Sequence, residues 1–320
     1  MVDEPRSGGD ESLAIRAAWL HYAGGMTQAD VAKKLGITGV KAHRLISRVN
    51  QSGAVKVTID GDIAECVALE GQLAECYGLS YCEVAPDLHE SGLPLRAVGA
   101  TGAKFLKREI ENRKNKLIGF GHGRTLAAVV RQLPHMGAAN TQFVSLLGGL
   151  TRNYAANPHD VMHRLADRTG AAAYFMPVPF LANTVEDREV LLAQRGVRDV
   201  FEMAKHTDLN LVGVGTTKPV ASLVATGMID KEEIAEVESA GGVGELLGHF
   251  FNKDGEAIET GLTARTLTGH TSGSEVVNNV AIAGGEEKVG AIRSVLKSGR
   301  LNGLITDERT ATALVNHAST

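Results

Sequence analysis

Residues 28–47 read QADVAKKLGITGVKAHRLIS, two short amphipathic segments joined at a glycine. Thr27 stands where it caps the first segment as a helix, and Asp30, three residues on, closes a capping box. Val31 and Leu35 lie four apart and share the inward face. Ala32 is small enough for a second helix to cross closely over it, Gly36 permits the turn, and Ile37 fills the corner. Ala42, Leu45, Ile46 and Val49 then recur at i, i+3, i+4 and i+7, the apolar stripe of a second helix. Left outward on it are Lys41, His43, Arg44 and Arg48. A buried stripe backed by a basic face predicts a helix-turn-helix whose second helix enters a DNA major groove.

Two amphipathic helices with a tight turn also occur on ordinary solvated surfaces, so charge carries the argument further. Residues 28–56 hold six basic side chains (Lys33, Lys34, Lys41, Arg44, Arg48, Lys56) and one acid, Asp30. The other 291 residues hold 27 basic against 36 acidic, and the whole chain has a net charge of −4. A local positive island in an acidic protein is the footprint of a phosphate-binding element. Lys41, His43 and Arg44 are placed to reach base edges, and Lys33 and Arg48 to touch phosphates. Gln28, Thr38 and Gly39 complete the candidate DNA-contacting set.

Working outward, residues 1–12 are polar with Gly and Pro and read as a disordered tail. Leu13–Ala23 reads as the first helix of a DNA-binding domain spanning 13–59, in which Ala54–Ile59 forms a short wing. Asp60–Gly61–Asp62 breaks the pattern, and 60–320 is long enough for a second domain with its own core. A 43% hydrophobic share with only 4% aromatic, and 37 glycines, suits an α/β domain with buried parallel strands. Cys66, Cys76 and Cys82 match no zinc spacing and read as buried apolar residues of a reduced compartment. No apolar run approaches 18 residues and the N-terminus is acidic, so a cytoplasmic protein with no membrane partner is expected.

Glu65–Tyr77 opens the second domain as a helix. Strand-like runs follow at Lys116–Phe120, Phe143–Leu147, Ala172–Pro177, Leu209–Val214 and Asn302–Ile305. Helical stretches at 97–112, 126–133, 158–169 and 288–297 alternate with them. This order predicts βαβ units and a Rossmann-like parallel sheet, with ligands beyond the carboxyl ends of the strands. The loops there are GHGRT (Gly121–Thr125), Gly148–Gly149, Gly213–Thr216, Gly244–Gly248, Gly284–Lys288 and Thr306–Glu308. Glycines admit a ligand to the backbone, a helix N-terminus favours anions, and Arg124 adds a charged fork. Hydroxyls, amides, one or two carboxylates and a lysine on separate strand ends are what a polyhydroxylated ligand requires, each hydroxyl needing its own partner.

GMTQADVAKKLGI, GHGRT, LLGG, PVP, VGVGT, GELLGHFFNKDG, AIAGGEEKVGAI and LITDERTA occur in this order. With them the chain resembles, over nearly its whole length, the SorC/DeoR family of sugar-binding bacterial transcription regulators. The resemblance implies an N-terminal helix-turn-helix joined to an effector domain similar to sugar-phosphate isomerases and deaminases. It implies an effector pocket at Gly121, His122, Gly123, Arg124, Thr125, Asn153, Asn157, Thr216, Glu245 and Lys288. His122 stands where most members have tryptophan, and Glu245 where aspartate is commoner, a longer side chain that suits a smaller ligand. Residues 147–190 are most similar to regulators of polyol catabolism.

Rival chemistries deserve weighing at single residues. His159 and His163 stand four apart and could ligate a metal, but Asp160 occupies the place where a metalloprotease needs Glu, and no third ligand is evident. His122 reads as a base or as a hydrogen-bonding group; Lys288 as a Schiff-base amine or as an ammonium binding a hydroxyl. A sugar-phosphate isomerase or deaminase with an accessory domain remains the alternative, with Glu245 and His122 as its acid–base pair. The expected protein is a non-enzymatic regulator, most simply a repressor, without metal or cofactor. It would bind a palindromic operator as a dimer or tetramer, under control of a sugar, polyol or sugar phosphate. GHGRT offers one arginine and no serine, so a short unphosphorylated polyol is expected to bind better than its phosphate.

Overall fold

The computed structural model describes residues 7–52, 54–55, 63–138, 140–151, 157, 159–218, 221–268 and 278–318. The chain folds as two compact units, Met1–Gly61 and Asp62–Thr320.

The first unit packs helices α1 (Ser7–Tyr22), α2 (Gln28–Leu35) and α3 (Gly39–Gln51). Ala14, Ala17 and Ala18 of α1 meet Val31, Ala32, Ala42, Leu45, Ile46 and Val49 in one core, the small alanines allowing close approach. Thr27 caps α2 by accepting the Asp30 N–H at 3.2 Å. The Asp30 carboxylate accepts the Thr27 hydroxyl at 2.6 Å, so the box closes through the side chain. Gly36 ends α2 with φ 64°, a left-handed turn that favours glycine, and Thr38 caps α3. Helix α1 begins at Ser7, six residues before the expected Leu13, so residues 7–12 are helix rather than tail. Asp10 accounts for this: its charge suits the first turn, and its carboxylate lies 3.8 Å from Lys41 and 3.6 Å from Arg48. The wing was expected at 54–59; of it only 54 and 55 are described, outside regular structure, and 56–59 lie outside the described residues.

The second unit opens with α4 (Ala64–Tyr77), β1 (Tyr81–Ala85), α5 (Leu95–Glu111), β2 (Leu117–Phe120), α6 (Arg124–Gln132) and β3 (Gln142–Ser145). It continues through α7 (Met162–Thr169), β4 (Ala173–Tyr174), α8 (Val185–Ala193), α9 (Arg195–Lys205), β5 (Leu209–Val212) and β6 (Gly215–Thr216). Next come α10 (Ser222–Ala225), α11 (Lys231–Ser239), β7 (Gly242–Leu246), β8 (His249–Asn252) and β9 (Ala257–Ile258). It closes with β10 (Asn279–Ile282), α12 (Val289–Lys297), β11 (Gly303–Asp307) and α13 (Glu308–Ala318).

Seven strands form a parallel sheet in the order β1-β11-β10-β5-β2-β3-β4. Alternate residues along a strand serve opposite faces. Leu211, Val280, Ile282 and Ile305 join Val98, Leu106, Leu126 and Val129 of α5 and α6 in one core. Val212, Ala281 and Leu304 join Leu73, Phe201, Ile292 and Leu314 of α4, α9, α12 and α13 in the other. This is a doubly wound α/β unit, in keeping with the reading from its βα alternation.

Several features depart from that reading, β10 among them, which no expected strand covered. Strand β1 was not expected: YCEVA carries a glutamate and lies at the sheet edge, where the α4 carboxylate of Glu70 accepts the Val84 N–H at 2.8 Å. Gly244–Gly248, expected as a loop, is instead the end of β7 and the Leu247–Gly248 turn of an antiparallel hairpin, β7–β8, in a four-stranded sheet β6-β7-β8-β9. Leu247 and Gly248 both take positive φ (51° and 81°), which suits a tight two-residue hairpin turn. The helix expected over 158–169 starts only at Met162, because the Asp160 carboxylate accepts the Met162 N–H at 2.8 Å and ends the loop there. Of the cysteines expected in the core, Cys66 is buried with Leu73 on one stripe of α4, while Cys76 falls off that stripe and is exposed.

The direction of chain travel reverses between β2 and β5. From β2 the chain proceeds outward through β3 and β4, then returns to lay β5, β10 and β11 on the other side. Beyond the carboxyl ends of β2 and β5 the connections diverge, leaving a crevice at the switch point.

Candidate functional site

On α3 the stripe Ala42–Leu45–Ile46–Val49 is buried, so the opposite face is open by geometry alone. Lys33, Thr38, Gly39, His43, Arg44 and Arg48 are exposed, and Gln28 and Lys41 are half-buried. Gln28 holds the His43 ring by accepting from Nδ1 at 3.1 Å. Arg48, expected to reach a phosphate, also donates to the Asp10 carbonyl at 2.9 Å, so the fold brings a second acid to a face that the sequence shows with one.

In the second unit, the crevice between β2 and β5 is a cleft of about 80 Å³. Gly121, His122, Gly123, Arg124, Thr125, Thr216, Glu245 and Lys288 all line it. They arrive by four separate segments of the chain. Gly121–Thr125 turns from β2 into α6, and Gly123, at φ 129°, takes a backbone conformation that only glycine adopts freely. The N-terminus of α6 has no side-chain cap, so its amides face the cleft unclaimed by side chains. Thr216 comes from β6, Glu245 from β7, and Lys288 from the turn before α12. Glycine at 215 makes room for the acid: a Cβ there would lie 2.2 Å from Glu245 Oε2.

One expected member stands apart. Asn157 is buried but does not line the cleft; its amide lies 3.6 Å from Met228 Sδ, and its Oδ1 accepts the His159 N–H at 2.9 Å. Asn153 lies outside the described residues. Conversely, Lys218, Ser222 and Glu287 line the cleft and were not singled out in sequence. The signal was present for two of them, since Lys218 and Glu287 stand within two residues of Thr216 and Lys288.

Burial sets the protonation of the cleft. It pushes the Glu245 carboxyl up to about 7, against the pull of the Gly248 N–H and the Lys288 charge. It brings the Lys288 ammonium down to about 8, helped by Arg124 and opposed by Glu245 and Glu287. Glu245 Oε1 accepts the Gly248 N–H at 2.6 Å, and Lys288 Nζ donates to the Val214 carbonyl at 2.7 Å. Burial also holds His122 at about 4, so its imidazole is neutral near pH 7. Its ring packs edge-on to Phe180, and its Nε2 is buried without a partner among the described residues. The cleft therefore offers a carboxyl that can donate or accept, an ammonium, a guanidinium and a hydroxyl, a set matched to hydroxyl groups.

His159 and His163 do not pair on a helix, since His159 precedes α7 and the His163 ring packs against Phe175 at 4.3 Å. Among the described residues, no group of three or more His, Cys, Asp or Glu could hold a metal ion, and no helix is long and apolar enough to cross a membrane.

A doubly wound α/β unit with an acid, an imidazole and a lysine in its crevice would by itself leave catalysis open. A basic recognition helix in the same chain has no place in such an enzyme, and together they define a transcriptional regulator with a ligand-binding domain. The chain belongs to the SorC-type family of sugar-binding transcriptional regulators: residues 61–316 match the family model described as "Putative sugar-binding domain". It is 61% identical over 306 residues to the erythritol catabolism regulatory protein EryD of Brucella abortus, covering 96% of this chain and 97% of that one. It is 31% identical to the transcriptional regulator LsrR of Klebsiella pneumoniae, over 97% and 94% of the two chains. The crystal structure of the full-length sorbitol operon regulator SorC from Klebsiella pneumoniae superposes with a TM-score of 0.68 at 27% identity, covering 96% of this chain and 99% of that one. These relatives are named as regulators, not enzymes.

Proposed function

We propose that this protein is a cytoplasmic repressor of a polyol-catabolic operon, that α3 reads the operator, and that the cleft between β2 and β5 binds the effector. The observation that carries the reading is the convergence of Arg124, Thr216, Glu245 and Lys288, distant in sequence, on one small crevice. The 61% identity with a regulator named for erythritol catabolism favours a four-carbon sugar alcohol. At about 80 Å³ the cleft is well below the roughly 300–1,000 Å³ of drug-sized ligand sites, which favours a short ligand. Glu245 accepts from one or two hydroxyls, Lys288 and Arg124 donate, and the Thr216 hydroxyl supplies a further partner. Glu245 and Glu287 oppose a phosphate dianion, so the unphosphorylated polyol is the better ligand. The protein self-associates to place two α3 helices about one helical turn (~34 Å) apart on a palindromic operator. Effector binding changes operator affinity through its preference for one arrangement of the domains.

Calorimetric titration with erythritol and with its phosphate tests the reading. The expected result is a saturable site for erythritol that Glu245→Gln weakens by ~1–3 kcal/mol while operator binding without effector is kept. A tenfold preference for the phosphate would overturn the polyol assignment and point to the α6 amides as phosphate donors.

A further inference from the structure

Val40 has no structural reason to be where it is. It is 81% exposed, the most exposed of the large apolar side chains among the described residues. It lies two residues from Ala42 and off the buried stripe of α3. A β-branched residue there lowers helix propensity relative to alanine and gains no packing in the free protein. A lone exposed valine is ordinary on a solvated face, but this one occupies the second position of α3, just after the Thr38 cap. That first turn is the part of a recognition helix that meets base edges. Gly39 beside it has open space where a Cβ would be, so the backbone there can approach a surface closely. Arg44 follows Val40 by four residues on the same face, and His43 is held by Gln28.

The helix tip thus presents one apolar group among hydrogen-bonding ones. Phosphate and sugar offer it no matching partner, and an isolated valine flanked by Lys41, His43 and Arg44 makes no patch large enough for a protein interface. In the major groove, the apolar feature of the base edges is the thymine 5-methyl group. We infer that Val40 reads a thymine methyl in the operator, next to the base pair contacted by Arg44. The inference rests on the proposed reading that α3 faces DNA.

The test uses the full-length chain and a duplex selected from randomised sequences by the wild-type protein. Each thymine is replaced singly by deoxyuridine, which removes only the methyl. At one position per half-site, wild-type binding should weaken about fourfold, the equivalent of ~0.8 kcal/mol per buried methyl-sized group. The salt dependence should stay unchanged. Val40→Ala, which keeps only the Cβ methyl, should lose most of that sensitivity; alanine favours the helix, and an unchanged melting temperature checks the fold. The inference is overturned if every deoxyuridine duplex binds wild type within twofold, or if Val40→Ala keeps wild-type sensitivity. In those cases Arg44→Ala and Lys33→Ala separate the causes. Weakened binding by these two leaves α3 on DNA and removes only the role of Val40, whereas wild-type binding by both removes the DNA face itself.

Discussion

Glu245 shows how burial sets a residue's chemistry. It is 8% exposed in a hairpin strand, with one carboxylate oxygen on the Gly248 amide and room made by Gly215. Its folded pKa, about 7 against an ordinary 4.5, means that the folded chain holds the proton more tightly than the unfolded chain. Stability contributed by Glu245 therefore falls as pH rises from about 4.5 to about 7. His122 works in the opposite sense: at about 4 against 6.5 it gives a stability that rises with pH across that window. The two slopes oppose each other, so wild-type melting alone does not separate them. Glu245→Gln does, and its melting temperature relative to wild type should climb between pH 4.5 and 7 and then level off. A difference constant with pH would show that Glu245 titrates as an exposed glutamate. On α3, Arg44→Ala should cost ~1–3 kcal/mol in operator binding and relax the preference at one position. Lys33→Ala should weaken all sequences alike and reduce the salt slope by about one. Fluorescence anisotropy against operator and scrambled duplexes checks both.

At the scale of elements, a few backbone devices decide where chains turn and which strands pair. Gly36 between α2 and α3 is left-handed with nothing near its would-be Cβ, so an alanine there meets backbone strain and no clash. Gly36→Ala should destabilise the first unit by ~1–2 kcal/mol. In the sheet, Asn210 of β5 and Asn279 of β10 are buried opposite each other; Asn210 Nδ2 donates to Asn279 Oδ1 at 3.0 Å, and Asn279 Nδ2 to the Arg300 carbonyl at 2.8 Å. Gly119 in β2 gives this pair its space, since a Cβ there would lie 2.1 Å from Asn210 Oδ1. The amide pair ties β5 to β10 in one register, next to the switch point. Asn279→Ala would leave the Asn210 amide unpaired in a dry interior and should cost ~1–3 kcal/mol in urea unfolding. A loss below about 0.5 kcal/mol would mean that the pair contributes no more than a surface contact.

The whole molecule holds two units, each with its own core, one built from the three N-terminal helices and one from the layers about the parallel sheet. Separate cores predict separable melting. In calorimetry, Gly36→Ala should lower the transition of the smaller unit alone. Erythritol at 100 times its dissociation constant should add about 2.7 kcal/mol to the larger unit. A single transition moved equally by both would show that the units unfold as one.

The helix-turn-helix was legible because its determinants are local: caps, a turn glycine and an i, i+3, i+4 stripe lie within some twenty residues. For the same reason the βα alternation and the strand-end loops could be read, and with them eight of the cleft residues, since each loop carries its own glycine signal. What sequence determined, then, is whatever is decided between near neighbours by backbone preference and side-chain period. Tertiary structure decided the rest. It placed β1 and β10 in the sheet, drew Asp10 onto Lys41 and Arg48, and took Asn157 out of the cleft to Met228. It alone set the protonation of Glu245, Lys288 and His122. Each depends on pairing across long stretches of chain, or on exclusion of water by elements far away in sequence, and neither leaves a mark on the residues beside it.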